Sequence, residues 1–406
     1  MTKGTMTPIE TALPALMNDL PLIDEEESQL LLSAIGRVLA ENLIASIDVP
    51  PYDNSAMDGY AINSADIAAG KMFLEVAQRI PAGEVGGKLG VGQAARIFTG
   101  APIPVGADAV VMQENCERLE NAVHILQGVN PGANIRHAGE DIKAGSTLLS
   151  SGHRLVAQDM GILASVGLTT VKVKRQLKIA LMTTGNELVQ PGTKLAPGQI
   201  YNSNFYSIAV LLYNLGAQVI DVGMVSDDLE STEKALQEAA SNADCIISTG
   251  GVSVGEEDYV KAAVENFGQL KLWKLAIKPG KPLACGEIAN TPFFGLPGNP
   301  VSAFVTFCLV VRPCLLTMLG CSDVESKQYC VVAAFEFPAT GIRQEYLRVS
   351  LSRSEQGETE VSPYSNQSSG VNSSLSGADG LAIIPPHTSV SIGDKLVFIP
   401  FSELIN

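Results

Sequence analysis

The run Ile246-Ile247-Ser248-Thr249-Gly250-Gly251-Val252-Ser253-Val254-Gly255 passes from an apolar, strand-like stretch into a glycine-rich turn. Glu256, Glu257, Asp258 and Tyr259 then read as the start of a helix. Glycine has no Cβ and tolerates φ > 0, so such a turn lets a ligand approach bare backbone. Amides at the following helix start can hold an anion. The surrounding region repeats the alternation. Leu177–Met182, Gln218–Val225 and Asp244–Ser248 read as strands. Helices are expected from Asn202 or Ser203 to Leu215, over Leu229–Ala240 and 256–267, and from Pro300 to Leu319. Asn202 or Ser203 caps the first of these and Gly216 ends it. Alternation of this kind argues for a parallel sheet covered on both faces.

A chain of 406 residues is too long for one ordinary core. The predicted fold class is mixed α/β and β: a multidomain chain with a parallel-sheet α/β domain, a β-rich insertion and a C-terminal β domain. Residues 1–45 and 144–175 are expected to form an N-terminal helical and linker domain. Leu30, Leu31, Leu32, Ile35, Val38 and Leu39 recur at helical spacing after the acidic run Asp24–Glu27. Residues 46–143 are rich in glycine, proline and short β-prone runs, and read as an inserted β domain. The α/β domain spans 176–327. Residues 328–406 return to β, with a serine- and asparagine-rich loop over 362–376.

The net charge is −16. An acidic chain repels nucleic acid and anionic membrane, so neither is an expected partner. The seven cysteines include no C-x-x-C pair and the four histidines no H-x-x-x-H, which argues against a zinc site of common spacing. Scattered thiols in apolar surroundings, with no visible signal peptide, point to a cytoplasmic protein. Val301–Val311 is the longest mostly apolar stretch and stops at Arg312-Pro313, short of a membrane span.

In an open parallel sheet, ligands sit beyond the carboxyl ends of the strands. Four such ends carry polar or glycine-rich sequence: Thr183–Glu187, Ser226–Asp228, Ser248–Ser253 leading to Asp258, and Gly295–Pro300. Each alone is also an ordinary βα turn; together they describe a nucleotide or polyanion site. Lys274 and Lys278, placed at even spacing on one strand, would share a face and clamp an oxyanion, with Lys281 close behind. The other reading is an edge strand guarded by lysine. Carboxylates at Asp58, Glu187, Asp227 and Asp258 could bind magnesium, which takes one or two carboxylates plus substrate oxygens. Asp53–Ala61 and Phe98–Pro104 are polar turns that composition does not separate from plain loops. No G-x-x-x-x-G-K-[ST] is present, and Gly90-x-Gly92-x-x-Ala95 lacks the following helix of a dinucleotide fingerprint.

Taken together these segments resemble the molybdopterin molybdenumtransferase family, which includes MoeA and the C-terminal domain of gephyrin. The match runs through Pro50–Ala61, Thr99–Pro102, Gly139–Asp141, Thr184–Leu188, Ser248–Ser253 with Asp258-Tyr259, Lys278–Pro282 and Gly295–Pro300. The resemblance implies a MogA-like α/β domain and an elongated homodimer, with the site between the α/β domain of one subunit and the β insertion of the other. It implies insertion of molybdenum from molybdate into adenylylated molybdopterin, with release of AMP and use of Mg2+. Asp58, Glu187, Asp227, Asp258, Lys274 and Lys278 match positions implicated in the chemistry, with Glu187, Asp227 and Asp258 as metal ligands. Thr99, Asp141, Thr184, Gly250, Gly251, Ser253, Lys281, Pro297 and Pro300 are the implied substrate-binding positions. Arg348 and Ser369 are tail positions the family would turn toward the site. Asn186 stands where many members carry Asp, which changes the local charge while Glu187 is retained. The implied partners include the molybdopterin adenylyltransferase. Two other functions share parts of this pattern: an adenylyltransferase, which shares the α/β domain without the long flanks, and a non-catalytic scaffold of the gephyrin type.

Overall fold

A computed structural model describes residues 6–251 and 259–405 of the chain. Its centre is a six-stranded sheet of β1 (Lys178–Thr184), β2 (Gln218–Val225), β3 (Cys245–Thr249), β4 (Gly268–Lys274), β5 (Pro282–Ile288) and β6 (Thr291–Leu296). The spatial order is β2-β1-β3-β6-β5-β4. The first four are mutually parallel, and β5 and β4 run antiparallel to their neighbours. The sheet is therefore mixed, parallel only on the side that carries the glycine-rich turns. Side chains alternate between its faces. Ile179, Leu181 and Ile247 enter one apolar core, and Ala180, Met182 and Ile246 the other. Both faces are covered, which is why β1 and β3 read as continuous apolar runs.

Helix α1 (Ile9–Asn18) packs into this α/β core through Ile9 and Ala12, joined by Ile23. The chain then departs from the sequence expectation. Residues 24–45 hold two strands, Glu26–Leu30 and Leu43–Ile44, and a single 3-10 turn, Leu31–Ser33, instead of a helix. Leu30 and Leu32 are exposed, at 63% and 89%, so their helical spacing reported no buried face. The first strand is fixed by antiparallel pairing with Thr170–Lys174, roughly 140 residues away. Ala34, Leu39, Leu43, Leu155, Leu163, Val171 and Val173 form the small core there. Val38, from the same segment, instead packs into the α/β core with Ile9, Ala12 and Ile23.

The β-rich region forms a six-stranded sheet in the order Ala109–Met112, Gly59–Ile62, Gln93–Ile97, Phe73–Ile80, Ala122–Ile125, Cys116–Arg118. At the C-terminus, Gln344–Arg353, Thr359–Pro363, Tyr329–Ala333, Lys395–Pro400 and Gly380–Ile384 follow one another, and the last pairs back to the first. This closes a barrel around Val331, Leu347, Val349, Val361 and Phe398.

Pro300–Met318 is one continuous helical stretch, long and apolar enough to cross a membrane, yet 89% of it is buried inside the protein. It does not stop at Arg312-Pro313. A π segment, Phe307–Val311, precedes Pro313 and absorbs the amide that proline lacks. Cys245, Cys285, Cys308 and Cys314 are buried, while Cys330 is exposed. Desolvation pushes the thiols of Cys308 and Cys314 up to about 12. A thiol-specific reagent at neutral pH is expected to modify Cys330 within minutes and these four only after unfolding; fast modification of any of the four in native protein would contradict this packing.

Candidate functional site

Because β2, β1, β3 and β6 are parallel neighbours, their carboxyl ends emerge on one edge. The turns that follow them meet there around a cleft of about 770 Å³. Its lining includes Thr184, Glu187, Asp227, Gly250, Gly251, Pro297 and Pro300 from the sequence-predicted set. All four predicted strand ends are thus brought together.

Local ties set the shape of this edge. The Asn186 amide donates to Asp227 Oδ2 at 2.9 Å, and the Asp227 amide donates to Asn186 Oδ1 at 3.3 Å. Asn186 therefore joins two turns through an oxygen that an Asp would also offer, with one charge fewer. Asn202 Nδ2 donates to Thr183 Oγ1 at 2.8 Å, and its Oδ1 accepts from the Phe205 amide, fixing the start of α2 (Ser203–Asn214) beside β1. Asn204 Nδ2 donates to the Gly298 carbonyl at 2.7 Å, tying α2 to the proline turn.

The glycine pair is required by its surroundings. Gly250 has φ +90° and Gly251 φ +64°. A Cβ on Gly250 would stand 2.6 Å from the Thr184 carbonyl oxygen, which is backbone and cannot swing away. Gly250→Ala is expected to destabilise the protein by about 1–3 kcal/mol through strain and overpacking, read as a lowered urea midpoint; an unchanged midpoint would show that the turn relaxes freely. Thr184 Oγ1, beside this pair, is buried without a hydrogen-bond partner among the described residues, as is Ser248 Oγ at the end of β3. Buried hydroxyls normally have partners, so an unpaired one in a cleft wall fits an oxygen-rich ligand.

The C-terminal barrel supplies the remaining wall, and the sequence pattern of strand ends did not foretell it. Gly370 and Asn372 line the cleft, and the Ser369 carbonyl accepts the Val301 amide at 3.1 Å. Arg348 holds this loop from behind. It is 1% exposed, and it donates to Ser374 Oγ at 3.1 Å and to the Ser368 carbonyl at 3.2 Å. Burial lowers its pKa. Tyr201 and Asn204 were also missed. Asn204 had a signal, as the second residue of a helix that opens on this edge.

The lysines are arranged differently from expectation. Lys274 ends β4, whereas Lys278 lies on a separate short strand, Ile277–Lys278, paired in parallel with Gln344–Glu345 of the barrel. They do not share a face of one strand, because the chain leaves the sheet between them. The Leu275 amide bonds the Lys281 carbonyl at 3.0 Å, closing the intervening turn. Lys278 Nζ lies 3.1 Å from both oxygens of Glu345, whose side chain is 9% exposed. Pro282, next to Lys281, reaches the cleft lining; the three lysines stand outside it.

The β-insertion residues Asp58, Thr99 and Asp141 are not among those lining this cleft. Asp58 Oδ1 accepts the Thr99 amide at 2.8 Å and the Thr99 hydroxyl at 2.9 Å. The backbone hydrogen bond from Thr99, with its hydroxyl second, holds the Asp58 carboxyl below its usual range. A carboxyl lowered in this way favours folding above its unfolded pKa, and the tie is lost as pH falls through the lowered value. Asp141 is exposed, and its amide donates to the Val49 carbonyl at 3.0 Å. Ser253 and Asp258 lie outside the described residues.

Family models match end to end: the MoeA N-terminal region (domain I and II) over residues 7–167, a probable molybdopterin binding domain over 180–317, and the MoeA C-terminal region (domain IV) over 331–401. A protein of Haemophilus influenzae named molybdopterin molybdenumtransferase is 38% identical over 98% of this chain and 100% of its own. The chain belongs to the MoeA family. A Bacillus subtilis member of the same name is 34% identical over 90% of this chain and 87% of its own. The crystal structure of a molybdopterin biosynthesis MoeA protein from Pyrococcus horikoshii OT3 superposes with a TM-score of 0.84 at 29% identity, covering 98% of this chain and all of that one. The MoeA architecture accounts for the β-rich sheet, the α/β unit and the closed C-terminal barrel together.

Proposed function

We propose that this MoeA-family chain inserts molybdenum from molybdate into adenylylated molybdopterin and releases AMP, acting as a cytoplasmic homodimer with Mg2+. Its place as a molybdopterin molybdenumtransferase of molybdenum cofactor biosynthesis follows from relatives of that name matched over their whole length. The finer chemistry is supported by one observation above the rest: four strand-end turns converge on one cleft that carries Glu187 and Asp227.

Among the described residues no cluster of three potential metal ligands occurs. Magnesium needs only one or two carboxylates with substrate oxygens completing its shell. Glu187 and Asp227 fit that demand, with Asp258 as the further candidate. When bound, the cation would offset phosphate charge and polarise the anhydride. The chain's own residues do the rest. The Gly250-Gly251 turn brings bare backbone to the ligand. In the cleft wall, Thr184 Oγ1 offers a hydroxyl that has no partner among the described residues. Pro297 and Pro300 hold the opposite rim, anchored through Asn204. Lys274 and Lys278, the latter held by Glu345, are the cations assigned to offset the anionic charge of the substrate. Asp58, Thr99 and Asp141 reach the site from the second subunit. The substrate carries both sulfurs and the scissile anhydride, so the chemistry requires no cysteine or serine nucleophile.

The test is an assay of nucleotide release with purified protein, adenylylated molybdopterin and Mg2+. AMP formation that requires molybdate is the expected result. ATP consumption with pyrophosphate would mark an adenylyltransferase, and no turnover from an intact dimer would mark a scaffold.

A further inference from the structure

On the β-rich sheet, Arg79 of the strand Phe73–Ile80 stands directly opposite Arg96 of Gln93–Ile97. Like charges set across a ladder destabilise it. Among the described residues neither arginine forms a salt bridge, although the chain is strongly acidic. The two guanidiniums instead flank one ring. Arg79 Cζ lies 4.6 Å and Arg96 Cζ 4.7 Å from the centroid of Phe98. Arg96 is fixed further by Tyr60, whose ring centroid is 5.2 Å away, and by bonds to the Gly59 carbonyl at 3.0 Å and Gln113 Oε1 at 2.6 Å. Arg79 is exposed, and among the described residues it stacks on the Phe98 ring without a hydrogen-bond partner. Its forked donors are left for something else.

Phe98 is followed by Thr99, whose amide and hydroxyl are both spent on Asp58. The same turn thus presents a braced Thr99 and a doubly cationic aromatic stack. Arg96 has the Asp58 carboxylate as a nearby charge partner, but among the described residues no acid pairs with Arg79, and its guanidinium fork matches phosphate oxygens in pairs.

We infer that Arg79, Phe98 and Arg96 form a subsite for a nucleoside monophosphate, with Arg79 as its specificity-determining contact to the phosphate. Resting on the proposed function, the ligand there is the adenylyl end of the substrate and the AMP that leaves. Asp58 is then a positioning residue, which holds the Phe98–Thr99 turn in place.

Calorimetric titration of the full chain with AMP, adenosine, molybdate and sulfate tests this. Arg79→Gln is expected to weaken AMP binding about tenfold, the loss of one hydrogen bond to a charged group, with Arg79→Lys recovering part of it. Adenosine binding should not change, and sulfate should compete with AMP better than with adenosine. In turnover, Arg79→Gln should raise the KM for adenylylated molybdopterin by a similar factor while kcat holds. Unchanged AMP affinity in Arg79→Gln, no AMP binding by the wild type, or an equal loss for adenosine would each overturn the subsite. A weakened molybdate affinity with AMP unaffected would overturn it in favour of an oxyanion site. Should the wild type bind AMP in an Arg79-dependent way yet release none with molybdate, the proposed reaction fails and the subsite stands. Normal release with identical KM in both proteins gives the reverse.

Discussion

Replacing Glu187 by Gln is expected to lower molybdate-dependent AMP release at least about a hundredfold, the scale on which loss of one preorganised charge acts in a transition state. Thermal stability should hold, with the midpoint within about 2 °C of wild type, because Glu187 is exposed and such substitutions usually fall within about 0.5 kcal/mol. The contrast with Asp227 sharpens the test. Asp227 also accepts the Asn186 amide, so Asp227→Ala should lose activity and loosen both turns together. Steady-state turnover and melting curves on the two variants separate the roles. Turnover of Glu187→Gln within about threefold of wild type, far short of the hundredfold expected of a transition-state contact, would remove Glu187 from the chemistry.

The second large effect concerns stability. Lys278→Ala leaves the Glu345 carboxylate buried without its ammonium, and breaking a fully buried pair costs about 3–5 kcal/mol. Lys278 itself is half exposed, at 49% of its side chain, so solvent screening brings the expected loss to about 1–3 kcal/mol. Glu345→Gln on the Lys278→Ala background should restore much of it, since the amide needs no counter-charge. Urea unfolding of both single variants and the double variant gives the coupling energy directly. Strict additivity would show that the pair contributes nothing at the junction between the α/β unit and the barrel. Activity should fall in Lys278→Ala and stay low in the double variant, because restoring stability does not restore the ammonium.

Local signals carried much of the α/β unit. Asn202 and Gly216 bracketed α2, and the alternation of apolar strands with polar helices placed β1, β2 and β3 within a residue or two. The turns at their ends followed from strand direction alone, and so did the cleft. What local patterns could not show was pairing at a distance. Leu30, Leu32 and Ile35 recur at helical spacing but are exposed, because the strand Glu26–Leu30 is defined by a partner far along the chain. The same limit separated Lys274 from Lys278: even spacing suggested one strand, while the observed chain leaves β4 and pairs with the barrel. Local pattern did not show the cleft wall at Gly370 and Asn372 either, since a serine-rich loop acquires meaning only from what it is folded against; only the family resemblance pointed to it, through the adjacent Ser369.

That loop has a consequence for how this architecture can be taken apart. Its carbonyl at Ser369 receives the first free amide of the long buried helix, and Arg348 pins it from within the barrel. A polypeptide stopping at residue 327 would keep the entire central sheet and still present a basin with one side missing. Recombining this α/β unit with a foreign tail would therefore hand it a different enclosure, and with it a different choice of guest.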